Sequence, residues 1–360
     1  MTGDSAYAAA PFDHGKADII LRSSDNIDFR VIKLFLSLAS SSLETLLHIP
    51  QSTEASNDRE IKDGLAVIRM QENNKTLDTL LRFCYPCTLA EDPKLKVAED
   101  LVEVLEASRK YSLDTIERKV HRALSNHETL KAEPLRCFAI ARRGRAHKET
   151  LLAAKYKLTQ PLIPSWFQGI GLITATDLLA LLTYHQKCGD TVYALKNDLS
   201  WIESHHRSSK ACAWFSSENR PNPRSSETSK GEKGKRGKKG EKGERGKKEK
   251  VVYASESDDS RCQCIGSTTA KYRLFGSQSR EWWEDFMEVT FLGLRDKPCR
   301  TTVESFVAKT VQSVRAQGCP NCSFNIANYM RDFSKLLTRK VEEGVSKIDL
   351  NLVYSTSSTV

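Results

Sequence analysis

The sequence predicts an α+β fold: a small sheet with helices clustered on one side, an all-α extension, and a small C-terminal helical segment. Three observations carry this. Residues Ala17 to Lys33 alternate apolar and polar at period two across a polar turn. From Lys33 to Ile202 nearly every further pattern has helical spacing. Helical spacing then returns over residues 281–344, after a long stretch dominated by charge.

Taken in order, residues 1–15 are small and polar and are expected to be disordered. Ile19 and Leu21 form one strand, Ile27, Phe29 and Val31 the next, and Ser23 to Asn26 supply the turn. Helices follow over Lys33 to Leu38 and from about Ser42, then a polar loop from Pro50 to Asp63. Leu65 to Met70 reads as a strand, and Lys75 to Tyr85 as a helix that Pro86 ends. Val97, Leu101, Val104 and Leu105 mark an amphipathic helix running to Tyr111. Ser112 and Ser125 stand where each can cap the helix after it. Pro134 to Arg142, Lys148 to Lys157, Thr176 to Gln186 and Thr191 to Ile202 complete the extension. In the C-terminal segment, Glu281 to Met287 begins a helix, and Thr302 to Ala316 and Asn325 to Gly344 form two more. Ile348, Leu350 and Leu352 alternate as a short extended piece.

At 360 residues the chain is long enough for two or three modest domains. Met1 to Pro11 has neither a basic n-region nor an apolar h-region, so no signal peptide is expected. The most apolar stretch, Leu172 to Tyr184, holds three Thr and an Asp and is too short to span a bilayer. No membrane partner is expected. Ten cysteines without a secretory signal point to a reducing compartment, nucleus or cytoplasm. The net charge of +9 is strongly localised. Residues 230–250 hold eleven Lys/Arg against four Glu, a net +7, which leaves +2 for the other 339 residues. Binding to a polyanion would therefore have to come from that run, and the folded parts are not expected to contact nucleic acid.

The N-terminal pattern resembles the BTB (POZ) domain. Asp18, Phe29, Lys33, Leu36 and Ser40 match its opening hairpin and helix, and Leu80 to Pro86 match a later signature. Ala107, Lys110 and Tyr111 match the helix after that. Ile32 replaces the family's usual His, and Leu43 stands near its usual aromatic. Beyond it, Pro134 to Ala141 and Leu181 to His185 resemble phrases of the helical extension found in a large group of fungal proteins, abundant in mushroom-forming species. The organisation implied is a BTB/POZ domain over 16–125, a helical extension over 126–212, a disordered basic linker over 213–260 and the helical segment over 261–360. The resemblance implies a non-enzymatic interaction module that pairs with itself and recruits other proteins. Asp18, Ile20, Phe29, Ile32, Lys33 and Leu36 become the interface candidates, with Phe29 and Leu36 equally suited to the core. Alternative roles are substrate adaptor for a cullin-type ubiquitin ligase, as in some members, or nuclear regulator acting through the basic run.

Four further motifs were weighed. In the run, Gly recurs at every third position from Gly231 to Gly246, the collagen period. Without Pro, and with charged residues at nearly every other position, it reads as a solvated linker. Lys235, Arg236, Lys238, Lys239, Arg245, Lys247 and Lys248 are its import-signal candidates, broken by Gly and Glu. Cys84 and Cys87 form a Cys-x-x-Cys pair that closes a helix, the wrong end for a reactive thiol. Cys319 and Cys322, after Gly318, are either half of a structural zinc site or two buried thiols in a loop; no other cofactor is expected. Second halves are offered by Cys262 with Cys264, by Cys299, or by His205, His206 and Cys212. No phosphate-binding glycine loop or nucleophile elbow is present, so no enzyme is expected.

Overall fold

The structure, a computed structural model, describes residues 6–48, 60–95, 99–202, 215–216, 264, 272–274 and 277–352. It divides into two compact units: residues 1–187 with 349–360, and residues 188–348. The basic run and most of the surrounding linker lie outside the described residues.

In the first unit, five strands form one sheet: β1 (Ala6–Tyr7), β2 (Ile19–Arg22), β3 (Ile27–Val31), β4 (Ile61–Lys62) and β5 (Leu65–Arg69). Their spatial order is β1-β3-β2-β5-β4. The predicted hairpin is β2–β3, antiparallel with Leu21 opposite Phe29. Its turn closes on Asn26 at φ 60°, a left-handed position that Asn tolerates better than most residues. Ile27 N–H donates to Ser23 Oγ at 3.0 Å. β2 also pairs in parallel with β5, so it is central and buried on both faces, which explains its unbroken apolar run Ile19 to Leu21.

The N-terminal segment corrects the sequence expectation of disorder over its described part. Ala6 and Tyr7 pair in parallel with β3 at Ile27 and Asp28, and Phe12 is fully buried against Phe29 and Tyr85. One aromatic anchor and two backbone pairings suffice to order a stretch whose composition alone looks featureless.

Five helices cover the sheet: α1 (Lys33–Ala39), α2 (Ser41–His48), α3 (Asn74–Cys84), α4 (Asp100–Lys110) and α5 (Asp114–Leu124). α5 buries Ile116, Val120 and Leu124, one residue per turn. α3 ends at Cys84 because Tyr85, preceding Pro86, is held extended. The two serine caps are not made. Ser112 lies at φ 51° and Leu113 precedes α5, while Ser42 Oγ donates to Ser112 Oγ at 3.0 Å. Ser125 closes α5, and it is Asn126 that caps α6 (His127–Ala132), accepting from Thr129 N–H at 3.1 Å. In both places the chain needs an extra residue to turn before the next helix begins.

The extension continues with α7 (Pro134–Arg143), α8 (His147–Lys157) and α9 (Ala175–Ala194). Pro134 takes the first helical position of α7, where its missing N–H costs nothing. α9 runs past Gln186, where the first expected helix ended, and stops at Ala194, inside the expected second one; residues 195–199 are turn and coil, and helix resumes at Ser200. The division between the units falls within α9.

In the second unit, α10 (Glu281–Asp296), α11 (Arg300–Ala316) and α12 (Pro320–Ser346) pack around Trp283, Phe286, Phe291 and Phe333. Phe333 meets the rings of Trp283 and Phe286 edge-on at 5.6 and 5.8 Å. Three short strands, β6 (Phe215–Ser216), β7 (Arg273–Leu274) and β8 (Ser277–Ser279), add a small antiparallel sheet to a segment expected to be all-helical. Ile348 to Leu352 form no strand, so that expected piece is absent; Leu352 N–H instead closes a tight turn on Leu350. No helix among the described residues is long and apolar enough to cross a membrane.

Candidate functional site

The interface candidates separate into two groups. Ile20, Phe29 and Leu36 are each at most 2% exposed: Phe29 and Leu36 take the core position the sequence also allowed them, and Ile20 is buried with them. Asp18, Ile32 and Lys33 gather at the start of α1. The exposed Asp18 carboxylate accepts from Lys33 N–H at 2.8 Å, and Ile32 N–H donates to the Tyr85 hydroxyl at 2.9 Å. A residue remote in sequence thus supplies the anionic partner for the first turn of α1, where no local side chain caps it. Ile32 keeps its backbone role although its side chain lacks the polarity of the His it replaces.

The residues that sequence reasoning missed are Leu34 and Leu38, 60% and 77% exposed. Four apart on α1, they share one helical face pointing away from the core. In sequence they were indistinguishable from Leu36, because a seven-residue helix is too short to define its own buried stripe. Beside Leu38 a groove of about 690 Å³ opens between α1, α3 and the start of α5. Phe35, Phe83, Tyr85 and Ile116 line it, with Asp114 and Arg118 among its polar groups.

The two Cys-x-x-Cys pairs part company. Burial pushes the Cys84 thiol up to about 12, which disfavours its thiolate, while Cys87 is exposed. Cys319 and Cys322 are buried at the start of α12, entered through Gly318 at φ 74°. Cys264 joins them, and the three sulfurs lie within 4.8 Å of one another. Burial, then the neighbouring Cys319 and Cys322, push the Cys264 thiol up. The fully buried Cys322 accepts a hydrogen bond from Arg280 Nη1 at 3.1 Å, and Arg280 is itself buried. Of the other proposed second halves, Cys299 lies elsewhere, against the hydroxyls of Thr301 and Thr302. Cys262, His205, His206 and Cys212 fall outside the described residues.

No curated protein matches the chain. The family model of the BTB/POZ domain matches residues 11–128. That range begins before the expected boundary and takes in Phe12, strands β2 to β5 and α1 to α5, while β1 lies ahead of it. The chain therefore carries a BTB/POZ domain, a protein–protein interaction module, over residues 11–128.

Proposed function

We propose that this BTB/POZ domain pairs two copies of the chain, and that α1 forms the centre of the contact. The observation that carries the reading is the exposure of Leu34 and Leu38 on one face of the helix that follows the hairpin. Family resemblance assigns pairing to that region, and a two-fold contact uses the same patch twice. Burying one leucine is worth about 1.5–3 kcal/mol, so each substitution removes roughly double that from the pair. Light scattering on the full chain across a concentration series tests this. We expect dimer mass at micromolar concentration, and monomer for Leu34→Asp with Leu38→Asp at an unchanged helical circular dichroism signal. A wild-type chain that stays monomeric throughout the series excludes pairing as the domain's purpose.

Recruitment of a second protein is favoured by the groove beside Leu38, whose apolar walls and flanking Asp114 and Arg118 suit a short peptide segment. A cullin-type ligase is one partner of this kind. Substituting the partly exposed Phe35 by Asp would be expected to abolish co-purification with such a ligase, and retention of it would place the contact elsewhere.

A further inference from the structure

We propose that Cys264, Cys319 and Cys322 are ligands of a structural zinc ion in the second unit, independent of any role of the BTB/POZ domain.

The first argument is stereochemical. Zinc–thiolate bonds of about 2.3 Å place tetrahedral sulfurs about 3.8 Å apart. Three sulfurs mutually within 4.8 Å already occupy that neighbourhood, around one point. Two of them come from a tight turn entering a helix and the third from a distant part of the sequence. Gathering three thiols in a largely buried place yields little packing energy by itself, because a thiol is a small apolar group and a weak hydrogen-bond donor. A soft divalent cation gives the arrangement a purpose.

The second argument is charge. Binding converts three thiols to thiolates, releases three protons, and leaves Zn²⁺ with three thiolates at a net charge of −1. Arg280 is buried beside this point and its guanidinium donates to Cys322 Sγ at 3.1 Å. The guanidinium is placed to donate to a metal-bound thiolate at Cys322 as it donates to the sulfur here, a contact of the kind that orients and stabilises a metal ligand. The fourth tetrahedral position is left to water or to a residue outside the described set.

The ion would tie residue 264, at the far side of the charged linker, to the start of α12 and the end of β8. This closes a unit whose strands are only two or three residues long.

The test uses the full chain, purified under reducing conditions without chelator. Elemental analysis is expected to find about one zinc per chain. Replacing it by cobalt should give thiolate-to-metal charge transfer in the near ultraviolet and strong tetrahedral bands in the visible. Cys264→Ser and Cys319→Ser should each lose the zinc and the visible bands, whereas Cys299→Ser and Cys84→Ser should keep both. Because a ligand variant can also misfold, the wild-type cobalt spectrum stands as an independent readout. A wild-type chain with no bound metal and no thiolate–cobalt band overturns the proposal. So does iron or copper in place of zinc, or a Cys319–Cys322 disulfide in the protein as isolated.

Discussion

Asp28 is fully buried and makes two contacts with Arg22, at 2.6 and 3.1 Å, and one with Lys62 at 2.8 Å. Arg22 is held more firmly protonated by Asp28, against the opposing cost of burial, and it also reaches Glu60. In sequence Asp28 and Arg22 looked like the solvent side of a hairpin, because alternation reports only which residues share a face. The pairing of β1 and β4 at the sheet edges could not be anticipated from two-residue strands. Asp177 carries the sharper prediction. It belongs to a capping box at the start of α9: Thr174 N–H donates to its carboxylate at 3.2 Å, and Asp177 N–H donates to Thr174 Oγ1 at 3.1 Å. Arg142 adds a contact at 2.8 Å. Burial works to raise the Asp177 pKa, but the hydrogen bonds from Arg142 and Thr174 outweigh it and hold the carboxyl below its ordinary value. A carboxyl depressed in the folded state binds fewer protons there than when unfolded. Its contribution is therefore complete above the unfolded value of about 3.9 and fades as pH falls through the folded one. Asp177→Asn keeps an acceptor for Thr174 N–H but removes the charged partner of the mostly buried Arg142, and should cost about 1–3 kcal/mol near neutral pH. In urea titrations the gap to wild type should narrow below about pH 4. A gap that stays constant to pH 2 would show that the charge of Asp177 does not matter.

At the scale of elements, helices were legible wherever apolar spacing ran for three turns, as at Ile116, Val120 and Leu124. Boundaries were not, since caps depend on how the chain must turn: Asn126 displaced Ser125 by one residue. α9 carries Gly189 in its interior, where glycine normally weakens a helix. The structure gives the reason for that residue. A Cβ at position 189 would drive into the backbone carbonyl of Arg295, near the end of α10. Backbone cannot swing aside as a side chain tip can, so α9 and α10 approach as they do only because position 189 is bare. Gly189→Ala should therefore destabilise the second unit by about 1–3 kcal/mol, despite alanine's better helix propensity. Thermal unfolding followed by tryptophan fluorescence reports on this directly, because Trp201, Trp282 and Trp283 lie in that core. A variant as stable as wild type, or more so, would mean that the two helices can part without cost. The thiol cluster teaches the same lesson about distance: Cys319 and Cys322 announce themselves by spacing, but spacing could not choose Cys264 over the other candidate second halves.

For the molecule as a whole, the net charge is concentrated in one stretch of the chain. The run at 230–250 holds +7 of the net +9, and the remaining residues are nearly neutral. Some charges on the folded units are engaged with one another, as in Arg109 with Glu117, Arg142 with Asp177 and Lys196 with Glu288. A polyanion should consequently recognise the run and little else, through counterion release that weakens steeply with salt. On a heparin column at low ionic strength the full chain should be retained and released by moderate salt. A chain lacking residues 230–250 should pass nearly unretained, while the pairing tested by Leu34→Asp and Leu38→Asp is unaffected by the deletion. Dispersed lysines and clustered lysines give the same net charge but very different fields. Retention that survives the deletion would mean that the near-neutral units gather their cations on one face. The search for a polyanionic partner would then move from the linker to the folded surface.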